Sequence, residues 1–123
     1  MILIGDKLIT HKKFFHISRI NEIKNTESNS ILSFRYNEEL LTYSYRNDLQ
    51  VAVIVCSIKE AIYANSLNAK YIISEKELAK AIQKIADNYM FDSKILAVIE
   101  TNDEIEEIAQ SEIDGIIYKS ILN

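Results

Sequence analysis

Three times in this chain a short apolar run leads into a Ser or Thr that is followed three residues later by Glu. Val51 to Val55 precedes Ser57 and Glu60, Tyr71 to Ile73 precedes Ser74 and Glu77, and Ile95 to Ile99 precedes Thr101 and Glu104. A hydroxyl at a helix start accepts a free N–H of the first turn, and a glutamate three residues on reaches back to the cap. Each pattern therefore marks a strand-to-helix junction. The runs are apolar at odd and even positions alike, as in strands buried on both faces of a parallel sheet. Between them the spacing becomes helical: Leu78, Ala81, Ile82, Ile85, Ala86 and Tyr89 fall at three- and four-residue steps, with Lys76, Lys80 and Lys84 opposite.

The same test predicts a strand over Ile31 to Tyr36 and a helix over Glu38 to Arg46, capped by Asn37. It predicts further helices over Ile58 to Asn68, Glu75 to Met90 and Asn102 to Glu112, and a last strand over Gly115 to Tyr118. Strand starts near 31, 51, 71, 95 and 115 recur about every twenty residues. Such alternation implies right-handed crossovers and a parallel sheet. The expected fold is α/β: a three-layer α/β/α sandwich with a five-stranded, mainly parallel, flavodoxin-like sheet. The first thirty residues stand outside the repeat. Ile2 to Ile4 and Leu8 to Thr10 flank Gly5-Asp6 as a hairpin would, Phe14 to Ile17 reads as a further strand, and Ile17, Ile20 and Ile23 suggest a short helix. The chain is thus expected to be a single domain over 1–123, with an N-terminal β appendage (1–30) at one edge of the βα repeats (31–119).

Several classes are disfavoured. With no proline and only two glycines there is no linker-like segment. The longest apolar run, Val51 to Cys56, falls far short of the roughly 20 residues that span a bilayer. The opening residues lack the features of a secretory leader, so a cytoplasmic location is expected. Cys56 is the sole cysteine, which excludes an intrachain disulfide, and it reads as a small buried apolar residue. His11 and His16 have no companion ligands nearby, and neither a metal nor a cofactor is expected. The net charge of −4 argues against nucleic acid, although His11 to His16 mixes bases with Phe14 and Phe15. Charge is uneven: residues 1–24 carry five bases against two acids, while Glu100 to Asp114 carries seven acids and no base. This separation suits a solvated helix face, a patch for a protein partner, or self-association between unlike poles.

In open parallel sheets ligands sit beyond the carboxyl ends of the strands. The candidates there are Ser74, Thr101, Lys119 and Ser120, with Lys119 as an anion ligand or Schiff-base amine and the hydroxyls as hydrogen-bonding groups. No glycine-rich phosphate loop and no nucleophile elbow accompanies them. Loops at this edge are too short for lids. The leading expectation is a non-enzymatic interaction or regulatory module, with a protein partner or a homodimer formed through the N-terminal segment, and with no nucleic acid or membrane. The alternative is a binder of small phosphorylated metabolites using Lys119.

The segment from Ile95 to Leu122 resembles the closing part of a response-regulator receiver domain, through Thr101 after one strand and Asp114-Gly115-Ile116-Ile117-Tyr118-Lys119 in the next. The resemblance implies a flavodoxin-like sheet. Ser74 stands where the family has its phospho-accepting aspartate, and Tyr36-Asn37 replaces its acidic pair, so it implies a pseudo-receiver without phosphoacceptor chemistry. The same half is similar to part of a phosphate-binding (βα)8 barrel, through Ala64 to Ile73 and Asp114 to Ser120, with Asn68 and Lys119 at that family's glycine positions. That likeness implies about half a barrel and a phosphate-handling site at Lys119.

Overall fold

A computed structural model covers residues 1–123. It has seven strands: β1 (Ile2–Ile4), β2 (Phe14–His16), β3 (Ile31–Arg35), β4 (Val51–Ile54), β5 (Tyr71–Ser74), β6 (Lys94–Ile99) and β7 (Gly115–Tyr118). Four α-helices join the later strands: α1 (Glu38–Arg46), α2 (Ile58–Ser66), α3 (Lys76–Tyr89) and α4 (Ile105–Gln110). The region expected to be one helix from Asn102 begins instead as a 3-10 turn, Asn102–Glu104, before α4.

All four helices end in the same way. Asp48, Asn68, Met90 and Glu112 each adopt a left-handed conformation, with φ of 53°, 63°, 51° and 59°. After each, the next N–H returns to the carbonyl five residues back: Leu49 to Ser44, Ala69 to Ala64, Phe91 to Ala86 and Ile113 to Ile108. This is the Schellman arrangement, with an apolar residue following the left-handed one and packing under the helix end. Glycine normally occupies the turning position. Because this chain uses Asp, Asn, Met and Glu there, the sequence gives little sign of the motif.

Every strand pair is parallel, and the order across the sheet is β1-β7-β6-β5-β4-β3-β2. From β2 onward each strand is laid beside its predecessor in one constant direction. Right-handed crossovers then all fall on the same face. Leu40 and Leu41 of α1, Ala61 and Ala64 of α2, Ala79 and Ile82 of α3 and Ile108 of α4 accordingly share one apolar cluster with the outward residues of the strands. The expected α/β class and parallel sheet are found, but the three-layer, five-stranded, flavodoxin-like sandwich is not. A flavodoxin-like sheet reverses its winding after the first strand and carries helices on both faces.

The second face is covered by the sheet itself. Ile4, Ile31, Ala52, Ile73, Leu96 and Ile117, one from each strand except β2, form a separate inner cluster with no helical member. The Phe14 ring of β2 stacks on the Tyr71 ring of β5 with centroids 6.2 Å apart. Three strand spacings in a flat sheet would separate them by about 14 Å, so the sheet is strongly curled into a half-barrel.

The N-terminal residues are not an appendage at one edge. β1 pairs with β7 and β2 with β3, so the two form opposite edges of the sheet. No hairpin exists at Gly5-Asp6. Leu8 to Thr10 is not a strand, and the connection from Gly5 to Lys13 carries the chain back from the carboxyl end of β1 to the amino end of β2. Asp6 holds the start of this return, accepting from the Leu8 N–H at 2.9 Å and from the Tyr118 hydroxyl at 3.0 Å. The 3-10 turn Ile20–Asn25 presses Ile20 and Ile23 onto the outer cluster.

Candidate functional site

Winding in one direction gathers all the strand-to-helix junctions at one mouth of the curled sheet. The fate of their backbone N–H groups decides what that mouth can bind. At β3–α1, the Asn37 side chain accepts from the Leu40 N–H at 3.0 Å. At β4–α2, Ser57 Oγ accepts from the Glu60 N–H at 3.1 Å, while the Glu60 carboxylate accepts from the Cys56 N–H at 2.8 Å. At β5–α3 the cap is Glu75, not Ser74: its carboxylate accepts from the N–H groups of Glu77 and Leu78 at 2.9 and 2.7 Å. At the last junction, Glu104 accepts from the N–H groups of Glu100 and Thr101 at 2.8 and 3.1 Å. Donors that could meet a phosphate are thus held by the chain's own oxygens, three of them carboxylates.

Glu104 is the most perturbed of these groups. Backbone N–H donation from Glu100 and Thr101, and then the Lys76 ammonium, hold its carboxyl down at about 2 from the usual 4.5. Lys76 lies 3.0 Å from Glu104 and 3.2 Å from Glu107, and these hydrogen bonds push its own pKa up. The acid-rich segment is therefore partly neutralised by a lysine from the neighbouring helix. Sequence reasoning placed Lys76 on the side of its helix opposite the apolar positions. Helical spacing shows which side of a helix a residue occupies but not which acids the next crossover brings beside it.

A cavity of about 520 Å³ opens at this edge, lined by Glu75, Lys76, Val98, Ile99, Glu100, Thr101, Glu104 and Lys119. It brings Thr101 and Lys119 together but includes neither Ser74 nor Ser120. Ser74 is buried, alternates away from the inward-facing Ile73, and donates its hydroxyl to the Glu75 carbonyl at 3.2 Å. Ser120 is exposed on the 3-10 turn Lys119–Leu122. Lys119 lies 3.7 Å from Glu100, both side chains being largely exposed. Three carboxylates against two ammonium groups give the lining a negative balance, which disfavours a phosphate. Cys56 proves exposed, not buried, because β4 ends at Ile54 and leaves it on the short turn before α2.

The inner face at this mouth is closed from within. Ile121 and Leu122 of the terminal 3-10 turn pack against the inner cluster, as Ile54 and Val98 do. The turn also meets the far edge strand β2 and sits against Gly5, where an added Cβ would lie 2.7 Å from Ile121 Cγ1. Gly5 has φ +94°, so it supplies both the space and the backbone turn at this point. Asp114, from the segment shared by both resemblances, serves the opposite end of the sheet. Its carboxylate accepts from the Ile95 N–H at 2.9 Å and its N–H donates to Gln83 Oε1 at 3.0 Å.

No family model matches the chain, and no curated protein matches it in sequence. No group of three or more His, Cys, Asp or Glu side chains is arranged to hold a metal ion, and no helix is long and apolar enough to cross a membrane.

Proposed function

We propose that this chain is a non-catalytic interaction module that works by binding protein, self-association included. The observation that carries this reading is the self-occupied carboxyl mouth. Where curled parallel sheets hold substrates, this one carries its own Ile121 and Leu122 as a plug, and its own glutamates sit on the junction N–H groups. Surface suited to a partner lies elsewhere. Tyr43 and Tyr45 of α1 and Ile58, Ile62 and Tyr63 of α2 are exposed on successive crossovers. Aromatic residues of this kind are enriched where proteins meet. Met1, Leu8 and Ile9 are likewise exposed beside the two unpaired edge strands, which favours a homodimer through the N-terminal segment.

A thermal-shift screen against sugar phosphates and nucleotides tests this reading against the metabolite-binding alternative. A true ligand at about 100 times its dissociation constant adds roughly 2.7 kcal/mol. The expected result is no stabilisation. A hit that Lys119→Ala abolishes would overturn the proposal in favour of a phosphate site at Thr101 and Lys119.

A further inference from the structure

At the other mouth, beside the amino ends of the strands, the character of the surface reverses. The curl brings the edge strands β1 and β2 to opposite sides of a cavity of about 280 Å³. That is near the lower limit of ligand pockets and suits a small molecule. Its apolar wall includes Ile2 and Ile4 of β1, Ile9 of the returning connection, Phe14 of β2, Ile31 and Tyr71. Ile4 and Ile31 belong to the inner core, so the cavity is a continuation of that core opening to solvent. His11 meets the Phe14 ring edge-on at 6.0 Å, and Phe14 stacks on Tyr71, giving one side a continuous aromatic surface.

The ionisable side chains in this lining are Lys12, Lys70, His11 and Tyr71, with no carboxylate among them. Neither lysine takes part in an ion pair of the chain. The Lys12 ammonium donates to Gln50 Oε1 at 3.1 Å, and the Lys70 ammonium stands 5.7 Å from the Tyr71 ring centroid. Burial pushes the pKa of the Tyr71 phenol up. A second opening shares Ile2, Lys70 and Tyr71 with the first and adds Lys94 and Asp92, and a third shares Lys12 and adds Glu27 and Asp48, so of the three only the first is free of carboxylates.

We propose that this amino-terminal mouth binds a small amphiphilic carboxylate, its apolar body on Ile4, Phe14, Ile31 and Tyr71 and its anionic head at Lys12 and Lys70. The apolar wall gives no reward to a bare inorganic anion, and two ammonium groups outside any ion pair, with no carboxylate in the same lining, discriminate against a neutral chain. This site lies away from the surfaces invoked for a protein partner on α1 and α2 but shares Met1 and Ile9 with the surface invoked for the homodimer, so the oligomeric state of each variant is measured by light scattering beside its titration.

The experiment is an NMR titration of the full chain, labelled with ¹⁵N, using decanoate below its micellar concentration, with 1-decanol and inorganic phosphate as separate probes. Decanoate should give saturable shifts at the amides of Ile2 to Ile4, Phe14 and Tyr71, decanol should bind there more weakly, and phosphate should leave these amides unmoved. Lys12→Ala with Lys70→Ala should weaken decanoate by about tenfold or more, the size of one charge-assisted hydrogen bond, and leave decanol unchanged. Ile9→Asp, at a half-exposed position, should weaken both amphiphiles. The inference is overturned if decanoate produces no saturable shifts, if its shifts cluster at the carboxyl mouth, if phosphate competes for the same amides, or if the double lysine variant binds decanoate as tightly as the native chain.

Discussion

Replacing Gly115 with alanine tests whether the first strand is an integral part of the sheet. Gly115 pairs with Ile2 across the β1–β7 contact, and the Ile2 N–H donates to the Asp114 carbonyl at 3.0 Å. A Cβ at position 115 would lie 2.4 Å from the Ile2 carbonyl oxygen and 2.6 Å from Ile2 Cβ. Because the closest neighbour is backbone, β1 must move as a unit. Overpacking a close contact of this kind costs about 1–3 kcal/mol. If β1 detaches entirely, Ile4, now 3 % exposed, loses burial worth about 1.5–3 kcal/mol, with smaller losses at Ile2 and Leu3. Alanine recovers about 0.5–1 kcal/mol of the conformational entropy that glycine gives up on folding. The net loss should be about 0.5–2.5 kcal/mol, and a chain of this size melts about 4 °C lower for each kcal/mol. Melting followed by circular dichroism, together with hydrogen exchange at Ile2 to Ile4, would read the effect. An unchanged or raised Tm with full protection of those amides would refute the close approach.

Other substitutions examine the caps, the plug and the assembly. Glu104→Gln should cost about 1 kcal/mol at neutral pH, the usual worth of an N-terminal cap. Since the native carboxyl is depressed to about 2, the stability it brings is present above 4.5 and fades as pH falls toward 2. Urea unfolding should therefore show the native chain and Glu104→Gln converging over that window, and a constant gap would contradict the assignment. Met90→Gly should raise stability by about 1 kcal/mol by relieving the left-handed backbone of an 85 % exposed residue, measured in the same assay. Ile121→Asp should lower stability by about 1–3 kcal/mol because it sets a carboxylate against the inner cluster, and an unaltered midpoint would mean that the plug does not pack. Light scattering should give twice the 14.2 kDa chain mass, with Leu8→Lys combined with Ile9→Lys returning it to one chain; a native monomer would remove the dimer.

The strands and helices of the repeat were legible because their signals are local. Helical spacing and the Asn37 cap place Glu38 to Arg46 as observed, and the strand at Gly115 to Tyr118 also matches residue for residue. The cap of α3 was expected at Ser74 and falls at Glu75. Ser74 and Glu75 both precede α3, and the choice fell to Glu75 because strand alternation turns the Ser74 hydroxyl into the helix layer while leaving the carboxylate free to reach two N–H groups. The left-handed helix ends went unseen because the chain fills them with Asp, Asn, Met and Glu, and their position depends on the apolar residue that follows finding its place under the helix. Lys119 and Thr101 do share a cavity, but its character was set by Glu75, Glu100 and Glu104, which separate crossovers bring together.

Strand order and curl belong to the tertiary structure alone. A run that is apolar on both parities announces two buried faces without saying what buries them. Helices on the second face would give a sandwich, and the sheet closing on itself gives the half-barrel found here, with Ile31, Ala52, Ile73, Leu96 and Ile117 meeting one another instead of a second helical layer. Nor does any residue encode the direction of a crossover. Local sequence placed strands at both Ile2 to Ile4 and Phe14 to Ile17, yet only the accumulated winding of five later strands brought β1 beside β7 and left β2 at the far edge. The chain's own chemistry thus determined which segments form strands and helices and which side chains are apolar. The single direction of winding determined which mouth is closed and which stays open.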